Sequence, residues 1–478
     1  MSVPFGSPGA AATYSFDSVI VGGGIAGLSA ALTAAQSEAV TVLLEKAPRA
    51  ERGGNTRFAD AQMRFPHEAD DFSPRDYSPK QMFDDLMRIS GGRANRELVR
   101  TLCEGARETV EWLTGLGVEW EPGYPHTAGY RRSPSAGGQG LVDLLHRRLQ
   151  SMGGVVSYDT TAVDLLVDES RTVRGVRCHS PEGVVDITAD GGTVLACGGF
   201  QANVEMRTKY LGSAADSLIL RGSRYNTGEG LRMAIDAGAQ PAGQWGDYHS
   251  AVLDARSPTI ECGVTALYNY QMGIFVDRHG NRFIDEGEDF RDHTYVKFSK
   301  RIIDHAGGSA WCIFDQQAFQ REEFARAWRP VGPPIQADTL VGLARALQVP
   351  REALIQTIEG FNSAVQPGDY DLDNLDGKRT EGVSPPKSNW ALPLDTPPFI
   401  AIPVTGGITF TFGGLKCDTS ARVLDTRGGP IAGLYAAGET IGEFFYDNYP
   451  GASSVIRGAV FGRIAGRETS DRARSEPA

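Results

Sequence analysis

Six cysteines are scattered through 478 residues, with no Cys-x-x-Cys or Cys-x-x-Cys-His spacing. That excludes a haem attachment site, argues against a zinc site or any other metal centre, and leaves scattered reduced thiols as the expectation. No apolar run approaches the ~18 residues a membrane-spanning helix needs. The opening, MSVPFGSPGAAATY, lacks a basic stretch followed by an apolar core. No secretory leader is therefore expected, and the location expected is cytoplasmic. Positive charge is also in deficit: the formal net charge is −12, which argues against nucleic acid as a partner. No internal repeat stands out. Glycine, by contrast, is abundant at 58 residues, and the chain is too long for one compact core, so two or three domains are expected.

Residues 16–46 read FDSVIVGGGIAGLSAALTAAQSEAVTVLLEK. A β-branched run leads into Gly22-x-Gly24-x-x-Gly27, an Ala/Leu-rich helix follows, and a second apolar run ends at Glu45. This is the order of a dinucleotide-binding βαβ unit. Gly22 permits the tight turn, Gly24 lets a pyrophosphate approach the backbone, and Gly27 lets the helix pack closely on the strand. The N–H groups of Ile25 and Ala26 open the helix, where partial positive charge favours phosphate. Glu45, followed by Lys46, ends the second strand, where a carboxylate can accept both ribose hydroxyls. Three further segments favour FAD over NAD. Gly53-Gly54-Asn55-Thr56 is a small polar loop able to pass under a flavin. TVLACGGF (193–200) ends a strand at Ala196, Cys197, Gly198 and Gly199. GLYAAGE (433–439) ends another at Gly438 and Glu439. Two remote strands with small C-terminal residues suit one long cofactor lying across several strand ends. The 53–56 loop holds no His or Cys, so the FAD is expected to be non-covalent.

With these motifs in place, the chain resembles the flavoprotein family of fumarate reductases, succinate dehydrogenases and 3-ketosteroid Δ1-dehydrogenases over nearly its whole length. RFIDEGEDFRDHTY (282–295), GGITFTFGGLKCDTSARVLD (406–425) and FFYDNYPGASSVIRGAVFGRIAG (444–466) look most like the FAD-dependent tricarballylate dehydrogenase branch. The resemblance implies an α/β fold: a Rossmann-like FAD-binding domain of the glutathione-reductase type, with an inserted α+β capping domain. It also implies cofactor contacts at Ser454 and Val455, and hydride transfer between substrate carbon and flavin.

The chain divides accordingly. Residues 1–14 read as a flexible arm, 15–239 and 391–468 as two parts of the FAD-binding domain, 240–390 as the cap and 469–478 as a frayed tail. Helices are expected from Arg96 to Leu116 and over 138–152, 338–347 and 350–365. Short strands are expected between 154 and 199, with VVDITAD and TVLACG as separate strands.

The active site is expected where the cap meets the flavin. Arg291 lies five residues after Glu286, one more than in the comparable fumarate reductase run. A guanidinium suits a carboxylate clamp; as a proton carrier it is awkward, because it keeps its proton up to about pH 12. The bland reading is a salt bridge to Asp285, Glu286 or Asp292. Tyr449 stands where fumarate reductases carry a carboxylate-binding Arg and where 3-ketosteroid dehydrogenases carry a Tyr that polarises the ketone. Phe410 replaces a His of the fumarate reductases, which makes a C4-dicarboxylate substrate unlikely to fit. His249 sits where relatives place a substrate His, and a buried structural role is nearly as good a reading. His293 and Tyr295 follow Arg291 closely and can assist proton transfer. The expected reaction is α,β-desaturation beside a carboxylate or ketone of a small molecule, tricarballylate-like or, as an alternative, a cyclic ketone or keto acid. Other readings are a fumarate-reductase-like enoate reductase and an electron-transfer flavoprotein subunit. The electron acceptor is a separate molecule: a quinone, an electron-transfer protein or oxygen. Oligomeric state is not legible.

Overall fold

The computed structural model describes residues 13–72, 75–122, 131–263, 265–327 and 331–475. The chain forms two units. One takes residues up to Pro122, then 130 to His249, and everything from Thr409; the other is built on Ser250–Ile408. Most of the expected N-terminal arm falls outside the described residues.

The first unit opens with strand β1 (Thr13–Val21), helix α1 (Ile25–Gln36) and strand β2 (Thr41–Leu44). Helices α2 (Arg96–Gly115) and α3 (Gly137–Ser151) follow, then strands β3 (Val155–Ser157), β4 (Thr161–Val167), β5 (Val173–Ser180) and β6 (Gly183–Leu195). The second unit contributes β7 (Tyr248–Asp254), β8 (Ile274–Asp277), α4 (Arg291–Ala306), β9 (Ala310–Phe314), α5 (Leu340–Leu347), α6 (Arg351–Ala364) and the long β10 (Phe399–Thr411). The chain returns through β11 (Arg422–Leu424) and β12 (Pro430–Ala436) and closes with α7 (Ser453–Ser475).

In the first unit the main sheet runs β11-β12-β6-β1-β2-β3, with β4 and β5 attached through β6. Its central strands are parallel, with Val21 beside Leu44 and Leu195, and Leu195 beside Ala436. Every residue of α1 from Ile25 to Ala34 is buried. A helix buried all round has no polar face to show, which explains its Ala/Leu composition. It packs along α7, where Gly462 and Gly466 present backbone to backbone and Gly458 makes room for the Ile25 side chain. A Cβ on Gly462 would lie 2.3 Å from the Ala26 carbonyl oxygen, and one on Gly466 would lie 2.2 Å from that of Ala30.

Two expectations change here. VVDITAD and TVLACG form one strand, β6, rather than two. The Asp-Gly-Gly sequence that reads as a turn is a bulge: Phe16 pairs with Ala189 and Ser18 with Gly192, so β6 carries one extra residue there. Gly191 is required because a Cβ would lie 2.0 Å from the Thr469 carbonyl oxygen. The same contact holds the end of α7. Residues 469–475, expected to fray, are helical, and Thr469 and Ser470 are fully buried.

The second unit is a sheet covered on both faces. β9 pairs antiparallel with β8 and with β10. Alternation along these strands sorts the core. Phe275, Cys312, Phe314, Ile400 and Ile402 lie in one apolar cluster with Phe298 and Ile302 of α4. Ile274, Ile313, Phe399 and Ala401 lie in the other, with Leu343 of α5 and Leu354 and Ile358 of α6. Burial on both faces is why these strands read as unbroken apolar runs.

Gly462→Val should destabilise the protein by about 1–3 kcal/mol, because the added methyls meet backbone that has no room to move. Urea unfolding measures it, and an unchanged midpoint would show that α1 and α7 can separate without cost.

Candidate functional site

The parallel register places the cofactor motifs side by side. Gly22 follows Val21, Glu45 follows Leu44, Ala196 follows Leu195, and Ala437 follows Ala436. All four lie at the carboxyl end of one sheet, where open α/β folds bind nucleotides. The glycines are dictated by space. Gly22 has φ +110°, and a Cβ on it would lie 2.4 Å from the Ala196 carbonyl oxygen; one on Gly27 would lie 1.8 Å from that of Gly22. Gly24 caps α1, and Thr56 Oγ1 accepts the Ile25 N–H at 3.0 Å. Ala26 lies against Gly438, whose added Cβ would sit 2.8 Å from it.

Glu45 is buried. Its two oxygens accept the N–H groups of Ala47 at 3.0 Å and Gly53 at 3.1 Å. Burial raises its pKa, against the pull of these backbone donors. Lys46 Nζ donates to Thr227 and forms an ion pair with Glu229 at 2.7 Å. Gly53 and Gly54 both have positive φ, as the loop turn requires. Asn55 ties that loop down, accepting the Ser223 N–H at 2.9 Å and donating to the Thr409 carbonyl at 2.8 Å. Across the sheet edge, burial pushes the Cys197 thiol up to about 12. Gly198 has φ +76°. Gly199 faces Glu439, whose Oε1 accepts the Thr411 N–H at 2.9 Å. Burial raises the Glu439 pKa to about 7. A backbone cradle crossing these four strand ends, with a buried carboxylate at each side, suits an extended dinucleotide such as FAD.

An aromatic cluster lies in the same unit. His249 stacks on Phe410 with ring centroids 4.7 Å apart. Tyr449 meets His249 edge-on at 4.6 Å and Phe410 at 5.3 Å. Phe445 completes the group, 4.9 Å from Tyr449. The Tyr449 hydroxyl accepts the Ser454 N–H at 3.0 Å and donates to Ser454 Oγ at 3.0 Å. It is thus anchored to the first turn of α7, where helix N–H groups stabilise negative charge on oxygen. Ser454, expected to touch the cofactor, has its N–H committed to this phenol; Val455 follows it in the same turn. The Tyr449 turn is held from below by Arg64, which is fully buried. Arg64 Nε donates to the Gly451 carbonyl at 3.0 Å, and its N–H to that of Ala452 at 2.8 Å.

In the second unit, Arg291 is the first residue of α4 and is 2% exposed. Its guanidinium lies 4.4 Å from the Tyr268 ring centroid and 5.9 Å from that of Tyr295. Nε and Nη2 have no hydrogen-bond partner among the described residues. Two of the three acids considered for the bland salt bridge, Asp285 and Glu286, are engaged elsewhere. Asp285 accepts the Ser388 N–H and hydroxyl, and Glu286 pairs with Arg282 at 2.6 Å. His293 lies 3.3 Å from Asp289 one helical turn back, and Tyr295 packs on the apolar core. Both geometries suit structural roles.

Sequence reasoning missed Arg64, Phe445, Arg457 and His146. Arg457 alone carried a signal, a lone charge in the apolar run Val455–Phe461. His146 lies behind Gly23, where burial lowers its pKa to about 4 and keeps it neutral.

Comparison with known proteins gives a match to the FAD binding domain family over residues 17–456. Urocanate reductase of Eggerthella lenta is 30% identical over 95% of this chain and 74% of its own. Fumarate reductase (cytochrome) of Shewanella frigidimarina is 29% identical over 95% of this chain and 77% of its own. The NADH:acrylate oxidoreductase of Vibrio harveyi is 30% identical, and the chain spans half its length. Among solved structures, the open form of a flavocytochrome c3 fumarate reductase superposes with a TM-score of 0.76 at 26% identity, covering 96% of this chain and 79% of that one. The 3-ketosteroid-Δ4-(5α)-dehydrogenase of Rhodococcus jostii RHA1 gives 0.74 at 24% identity, covering 96% and 97%. No helix among the described residues is long and apolar enough to cross a membrane.

Glu439 carries a pH signature. Its folded pKa is about 7 against an ordinary 4.5. Between those values the folded protein holds a proton that the unfolded chain has lost, so this group's contribution to stability falls as pH rises through the window. Glu439→Gln should remove that fall, at most about 3 kcal/mol. Urea midpoints of FAD-stripped parent and variant across the window test it; parallel pH curves would show the carboxyl ionised throughout.

Proposed function

This chain belongs to the FAD-binding-domain family, its cofactor is FAD, and from that premise we propose that it is a dehydrogenase that introduces a C=C bond α,β to a carboxylate or ketone of a small molecule. The observation that carries this reading is the Tyr449 hydroxyl, fixed to the first turn of α7. Bound FAD supplies the two-electron acceptor for the Cβ hydride. As the Cα proton leaves, negative charge gathers on the carbonyl oxygen. A phenol that already accepts a backbone N–H can turn its own proton from Ser454 Oγ to that oxygen, and its donation strengthens as charge develops. The stack of His249, Phe410 and Phe445 around it supplies an apolar wall, which favours a substrate with a bulky or cyclic body over a compact dicarboxylate. Arg291 is proposed as the group that binds a substrate carboxylate. Two of its donor nitrogens, Nε and Nη2, are buried without partners among the described residues, and the Tyr268 ring lies against it. The Cα proton passes to a general base. Tricarballylate, other branched carboxylates and cyclic keto acids are the substrates proposed, with a separate molecule as electron acceptor. The names of the relatives favour a second reading, in which the reaction runs in reverse as an enoate reduction.

Anaerobic mixing decides between the directions. The proposed substrates should bleach the flavin, and do so faster than succinate. Flavin that stays yellow with all of them, yet after reduction is reoxidised by urocanate, fumarate or acrylate, would establish the second reading. Tyr449→Phe should keep its FAD and slow bleaching by about 10²–10³.

Arg291→Ala should raise KM for carboxylate substrates with kcat near the parent's, the mark of a binding clamp. A collapse of kcat at unchanged KM would point to proton transfer instead. Parental kinetics in both parameters would remove Arg291 from the site.

A further inference from the structure

Arg457 lies in the first turns of α7 and is 3% exposed. Its guanidinium carbon is 4.7 Å from the ring centroid of Phe445 and 5.1 Å from that of Phe444. Its Nε is buried without a hydrogen-bond partner among the described residues. An ion removed from water in this way costs several kcal/mol unless it is paired, and two aromatic faces return only part of that. A Leu or Met at this helix position would fill the space without the penalty. The charge therefore has a use beyond packing.

Its surroundings indicate what the use is. Burial pushes the Arg457 pKa down to about 10, and the carboxylate of Glu439 pulls it back up in part. Glu439 follows β12 on the cofactor edge of the sheet, and Tyr449 is anchored at the head of the same helix. Arg457 thus sits among cofactor-edge groups, against the ring of Phe445, which also meets Tyr449 edge-on. Flavin gains negative charge on two-electron reduction, and a fixed cation in a low-dielectric interior favours the more negative form at distances where in water it would be screened.

We infer that Arg457 is a fixed buried cation that sets the reduction potential of bound FAD, acting through its field and without touching substrate. The inference rests on FAD as cofactor and on neither direction of the proposed reaction. It makes Arg457 a positioning residue for electrons. Tyr449 acts on the substrate; Arg457 biases the flavin.

The test compares Arg457→Gln and Arg457→Lys with the parent, each loaded with FAD and checked for flavin content. Two quantities are read: the midpoint potential against reference dyes, and the affinity for sulfite, whose adduct with oxidised flavin is anionic. Arg457→Gln should make reduction at least tenfold less favourable, about 30 mV lower for a two-electron couple, and weaken sulfite binding by at least tenfold. Arg457→Lys, which keeps the charge, should recover most of both. A Gln variant with parental potential and parental sulfite affinity would overturn the inference, whatever its stability. If the Gln variant fails to hold FAD, Arg457→His replaces it. Its sulfite affinity relative to the parent should then fall between pH 5.5 and 8.5 as the imidazole loses its charge, and a constant ratio would overturn the inference equally. A failed substrate panel leaves these readings intact, so the two proposals fail separately.

Discussion

Backbone-to-backbone contact at the carboxyl end of the parallel sheet is the constraint on which the cofactor unit depends. α1 begins so close to β1 that Gly27 would strike the Gly22 carbonyl if it bore a Cβ, and α7 crosses α1 on three glycines at helical spacing. Without that approach the first N–H groups of α1 could not meet a phosphate, and α7 could not bring its own first turn to Tyr449. The glycines that elsewhere would weaken a helix by about 1 kcal/mol each are here the condition for assembling the edge.

Two buried groups of opposite charge type share that edge. Glu439 has its pKa raised and Arg457 has its pKa lowered, each chiefly by desolvation and each partly relieved by the other. A neutral pair of side chains would pack with less penalty. Below about pH 7 the Glu439 carboxyl keeps its proton, which leaves Arg457, held by α7, as the fixed charge of this dry interior.

The cofactor edge was legible in the sequence because its constraints are local. A turn that needs Gly22, a helix that needs Gly27 and a strand that ends in Glu45 each leave a mark within a few residues, and the parallel register then aligns them. The glycines of the 191–192 bulge misled for the same reason. Taken locally they are a turn, and only the carbonyl of Thr469, far along the chain, makes them a bulge. The aromatic wall was legible in part. Phe410 and Tyr449 stand out by resemblance, while Phe445 joins them only through the turn that Arg64 holds. Arg457 was missed because a charge in a helix reads as solvent-facing until packing shows that every residue from Ile456 to Gly462 is buried. Of Arg291 the sequence indicated the residue and not its state, since two of the three acidic neighbours that look like partners, Glu286 and Asp285, are taken by Arg282 and Ser388.

β6 has a consequence for how this protein can vary. One half of the strand pairs with β5, from Gly183 beside Ser180 to Thr188 beside Gly175, and the other half pairs with β12 at Thr193 to Leu195. The bulge at Gly191–Gly192 separates the halves. Residues added at the β5–β6 hairpin tip lengthen a solvent-facing end and leave the rest in place. A single residue added between the bulge and Leu195 would turn each side chain of that segment to the opposite face and carry Ala196 to Gly199 away from Gly22. Length variation is therefore open at one end of a single strand and closed at the other.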